Sequence, residues 1–60
     1  MLGRMEQAVQ RLTPMQRDVF LMRAQDGAQY GDIAESLGTT VGAARVHYHH
    51  AVKRMKEELK

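Results

Sequence analysis

Sixty residues make one domain, and a chain of this size buries only about 60% of the surface its unfolded form exposes, leaving no room for a catalytic cleft between lobes. Cysteine is absent, which removes disulfides and thiolate metal sites, and the net charge is only +2. That charge is unevenly spread: residues 1–40 hold four arginines against five carboxylates, whereas residues 41–60 hold five lysines or arginines against Glu57 and Glu58, with all three histidines.

Apolar runs are only a few residues long, too short to span a membrane, and the first residues lack the apolar core of a signal peptide. A soluble cytoplasmic protein without membrane insertion is expected. Leu2, Met5, Val9 and Leu12 recur at helical spacing and predict a first amphipathic helix of about ten residues despite Gly3. Thr13 and Pro14 end it and start the next. Pro14 has no N–H to donate and suits a first helical position, Thr13 is then the cap, and Gln16 completes a capping box. The second helix carries Met15, Val19, Phe20, Leu21 and Met22, and Asp26-Gly27 is a turn signal that stops it. Met5, Met15 and Met22 fit two readings equally: filler for a small core, or a surface that packs on more than one partner.

Residues 30–51 read as a helix-turn-helix. Ile33 and Leu37 lie four apart on one helix face, Ala34 supplies a small residue for a close crossing, and Gly38 takes the left-handed conformation that lets the chain reverse. Thr39 and Thr40 are candidate caps, Thr40 the preferred start of the last helix. From there Val41, Ala44, Tyr48, Ala51 or Val52, Met55 and Leu59 predict one continuous buried stripe, which places Tyr48 in the core rather than against a base. The outer face carries Val46, His49, His50 and Lys53, flanked by Arg45, His47 and Arg54. Such a basic face can be merely solvated; behind a helix-turn-helix it is the expected footprint of DNA phosphates.

The chain is thus expected to be all-α, a single domain over residues 1–60 with four helices and a long C-terminal recognition helix. His47 and His50 are three apart and could chelate, but His49 points elsewhere and no acidic or thiol ligand is near in sequence, so neither a metal nor a cofactor is expected. No carboxylate pair, activated nucleophile or glycine-rich phosphate loop supports an enzyme.

These residues carry a family resemblance. Leu12-x-Pro14-x-x-Arg17, the Phe20-Leu21 pair, Gly27, Tyr30, Ile33-Ala34, Leu37-Gly38, Val41-Gly42, Arg45 and Ala51, in that order over about residues 12–59, resemble region four of bacterial RNA polymerase sigma factors, especially the extracytoplasmic-function group. The resemblance implies a specificity module that binds the promoter minus-35 element as double-stranded DNA. It also implies docking on the flap of the polymerase β subunit and, in many members, on an anti-sigma factor. It places Arg45, Val46, His49 and His50 at base edges and Arg17, Tyr30, Thr40 and Lys53 nearer the backbone. Elementary chemistry agrees: Arg45 can offer two donors to guanine O6 and N7, an outward Val46 can meet a thymine methyl, and the free N–H groups behind Thr40 can hold a phosphate.

The chain departs from the family pattern at Ala43-Ala44, where Thr-Val is common, and at His47 and His50, where arginine is frequent. Neutral imidazoles predict weaker and more pH-sensitive DNA binding than in an arginine-bearing relative. Two other readings stay open. A LuxR-type regulator also begins with Leu-Thr-Pro and has a basic residue two before a histidine, as Arg45 and His47 are, but would dimerise on a palindromic site. A sigma-like interaction module would bind protein partners and never DNA. The sigma reading predicts a monomer.

Overall fold

The structure, a computed structural model, describes residues 3–59. Helices α1 (Arg4–Gln10) and α2 (Pro14–Phe20) are followed by a π-helical turn (Leu21–Gln25), then by α3 (Tyr30–Leu37) and α4 (Val41–Glu58). No strand occurs among the described residues, so the all-α, four-helix expectation holds. None of these helices is long and apolar enough to cross a membrane.

α1 has seven residues rather than about ten. It begins behind Gly3, whose N–H donates to Glu6 Oε1 at 3.4 Å. Leu2, expected to open its apolar stripe, lies outside the described residues. Met5 is not buried: it is 57% exposed, and Ala8 and Leu12 fill the face turned to Ala51 and Met55 of α4. The small side chain of Ala8 suits the close approach of α1, while Met5, one turn earlier, lines an open groove.

α2 starts on the complete capping box that the sequence predicts. Thr13 Oγ1 accepts from the Gln16 N–H at 3.2 Å, and the Thr13 N–H donates to Gln16 Oε1 at 3.3 Å. The second helix does not run uniformly to Asp26. At Leu21 it widens by one residue, and the Asp26 N–H donates five residues back to the Leu21 carbonyl at 3.3 Å. The Ala28 N–H then closes on the Met22 carbonyl at 3.0 Å, with Gly27 at φ +68°. Leu21 and Met22 consequently reach different parts of the core.

Two apolar clusters form that core. Ala8, Leu12, Phe20, Ala51 and Met55 build one between α1, α2 and the C-terminal half of α4; Val19, Ile33 and Ala44 build the other beneath α3, with Met15 and Met22 half-buried against it. Met15 and Met22 therefore serve the core, whereas Met5 is exposed. Tyr48 touches both clusters and joins them, in line with its expected core role. The α4 stripe is buried only in its middle, at Ala44, Ala51 and Met55; Val41 and Leu59, at its ends, are 43% and 39% exposed. An 18-residue helix spans roughly 27 Å and outruns the short helices packed on it. The ion pair from Arg11 Nη1 to Glu58 Oε2 at 2.9 Å ties the end of α1 to the end of α4.

Candidate nucleic-acid interface

The turn between α3 and α4 aims the last helix. Gly38 sits at φ +66°, its N–H reaching the Glu35 carbonyl at 3.4 Å, while the Thr39 N–H bonds the Ala34 carbonyl at 2.9 Å. That pair of bonds is a Schellman motif, and it satisfies the carbonyls left open at the end of α3. Thr40 then caps α4, its Oγ1 accepting from the Ala43 N–H at 3.0 Å. Within three residues the chain is redirected, and the start of α4 is presented with Val41 and Gly42 exposed.

Along α4 the outward residues are those the sequence assigns. Arg45, Val46, His49, His50, Lys53 and Arg54 are exposed, Val46 to 52%, whereas His47 is half-buried. The His49 and His50 rings lie 6.0 Å apart, tilted by 55°. His50, Lys53 and Arg54 share a shallow polar recess of about 230 Å³ with Gln16 and Glu57, between the start of α2 and α4. Arg54 also has Glu58 within 4.0 Å, one turn on. No group of three or more metal-ligating side chains gathers among the described residues.

Tyr30 opens α3, half-buried, and meets Arg45: the Arg45 guanidinium carbon lies 5.2 Å from the ring centroid. Two of the expected site residues are thus brought into contact. Arg17 is placed differently from the others. It lies half-buried on α2, with Nη2 donating to the Leu12 carbonyl at 3.5 Å and Nε buried without a partner. Sequence reasoning passes over Arg23, in the middle of the π turn, whose guanidinium carbon lies 4.8 Å from the same Tyr30 ring. Its sequence position, a cation just before the Asp26-Gly27 turn, marks a helix end but not a neighbour of Tyr30.

Away from α4, an open apolar groove of about 570 Å³ lies between α1 and the α2–π segment, lined chiefly by Met5, Val9, Phe20, Leu21 and Ala24. It shares no residue with the basic face.

The sequence profile of the family described as "Sigma-70, region 4" matches residues 2–55. Among curated proteins, the chain is 34% identical over 56 residues to the "ECF RNA polymerase sigma factor SigD" of Mycobacterium tuberculosis and to that of Mycobacterium bovis, covering 93% of this chain and 26% of each relative. The chain therefore spans about a quarter of the length of the curated relatives it matches. No solved structure gives a match. With a helix-turn-helix built as described and a family profile matching nearly its whole length, the chain belongs to the sigma-70 region 4 family, in its extracytoplasmic-function branch.

Proposed function

We propose that this chain is the promoter-reading domain of an extracytoplasmic-function sigma factor, which binds the minus-35 element as double-stranded DNA and so directs transcription initiation by RNA polymerase. The exposed basic face of α4, presented by the capped turn at Gly38 and Thr40, carries the reading. α4 enters the major groove, with Arg45, Val46, His49 and His50 at base edges. Tyr30, Thr40 and Lys53 contact the backbone, Arg17 adding the guanidinium edge that Leu12 leaves free. The domain supplies specificity in the cytoplasm and catalyses nothing. Its contact with the polymerase β flap falls to the apolar groove around Met5 and Phe20, the surface an anti-sigma factor would compete for.

Selection from a random duplex pool, followed by gel-shift titration of the winners, tests this. One asymmetric motif should emerge, with affinity falling steeply as salt rises. A pool that stays unenriched would favour the pure interaction module. For the second surface, Met5→Glu should weaken capture by purified core polymerase and leave the DNA titration unchanged; capture at the wild-type level would move the flap contact elsewhere.

A further inference from the structure

Side chains from three elements converge beside the DNA-facing helix. The guanidinium carbons of Arg23 and Arg45 lie over the Tyr30 ring, 4.8 and 5.2 Å from its centroid. Two cations beside one ring repel each other, and the attraction of the ring's π face offsets that repulsion. Arg23 is itself fixed, because Nη1 donates to the Ala28 carbonyl at 2.9 Å. The Tyr30 ring is braced from the core, packing edge-to-face on Tyr48 at 6.2 Å, and Tyr48 in turn stacks on Phe20 at 6.1 Å. Arg45 therefore rests on a platform that has little freedom to move. A guanidinium stacked through its face keeps its in-plane donors, and these are the groups that guanine O6 and N7 accept from.

We infer that Arg23 and Tyr30 are positioning residues for base discrimination: Arg45 reads its base pair while stacked on Tyr30, and Arg23, anchored on Ala28, holds the ring in place. This rests on the base-reading role proposed for Arg45 and adds a residue outside the helix-turn-helix that acts through the ring and needs no contact with DNA. An arginine already held loses less side-chain freedom on binding, and a cation–π contact of this exposed kind shifts an equilibrium by about two- to fivefold.

Proton NMR of the free 60-residue chain gives the first test and needs no variant. The Arg45 δ-methylene protons should be shifted upfield by the Tyr30 ring current, and a random-coil position would overturn the inference. Tyr30→Leu should abolish the shift. The second test measures binding to the preferred duplex and to its single-base-pair variants. Arg23→Ala should lower the preference at the position flattened by Arg45→Ala by about two- to fivefold, leave the salt slope unchanged, and add nothing to Arg45→Ala in the double variant. Arg23→Lys, which keeps a cation and a donor for Ala28, should restore most of that preference. A loss on all duplexes alike with the slope lowered by about one would make Arg23 a phosphate contact and overturn the positioning role. If Arg45→Ala flattens a position that Arg23→Ala leaves intact, only this inference fails; if Arg45→Ala flattens none, the base-reading role falls with it.

Discussion

Arg45 and Lys53 are both exposed cations on α4, yet their surroundings differ, and so do the roles proposed for them. Arg45 lies one turn into the helix with its guanidinium over the Tyr30 ring, whereas Lys53 lies roughly 12 Å further along the axis, in the recess with Gln16 and His50. A bidentate contact to a base carries sequence information; a single ammonium near a phosphate does not. Arg45→Ala should accordingly cost about 1 to 3 kcal/mol on the preferred duplex and flatten discrimination at one or two base pairs. Equal losses on preferred and random duplexes would place Arg45 at the backbone. Lys53→Ala should weaken every duplex alike and lower the salt slope by about one, which a titration between low and moderate salt reads directly. A slope that does not change would remove Lys53 from the phosphate contacts.

At the scale of elements, the α3–α4 turn is the part whose stability most directly governs presentation of the basic face. An added Cβ at Gly38 would meet nothing within 4 Å, so Gly38→Ala isolates the strain of a left-handed residue at φ +66°, about 1 kcal/mol of destabilisation. Gly42 is equally open but sits inside α4 with an ordinary helical backbone, and Gly42→Ala should stabilise by up to about 1 kcal/mol. Urea unfolding of the pair decides the point, because the same atom is added with opposite expected signs. Gly38, the Thr13 box and the Thr40 cap are legible in the sequence because each bond closes within about five residues. The π turn is not, since one extra residue at Leu21 leaves the apolar spacing almost unchanged. Nor is the burial of Ala8 in place of Met5, which depends on where α4 crosses α1. The outward face of α4 follows from helical pitch alone and is read correctly. The Arg23–Tyr30–Arg45 cluster joins three elements across the fold, and no local periodicity announces it. Arg17 shows the same limit: its residue type suits a phosphate, but its half-buried place against Leu12 is a tertiary fact.

Over the whole molecule, the question is whether any surface remains for a second copy. The middle of the α4 stripe is consumed by the core through Ala44, Tyr48, Ala51 and Met55, and its outer face is the proposed DNA surface. The exposed large apolar side chains are scattered: Val41 and Leu59 stand at opposite ends of α4, roughly 27 Å apart, and Val46 lies on the proposed DNA face. A symmetric dimer needs one self-complementary patch of roughly 800 Å² on each partner, and these isolated side chains do not make one. The apolar groove at Met5 is the exception in character but is set between α1 and the π turn, away from α4, where pairing would not align two recognition helices on one duplex. The chain is therefore expected to sediment as a monomer at micromolar concentration and to bind a single-site duplex one to one. A LuxR-type arrangement requires instead two copies on a two-fold site, with half-sites about one helical turn apart. Sedimentation of the free chain and of its complex separates the two. A stoichiometry of two per duplex, with the selected motif palindromic, would overturn the monomer and, with it, the reading of one domain per asymmetric promoter element.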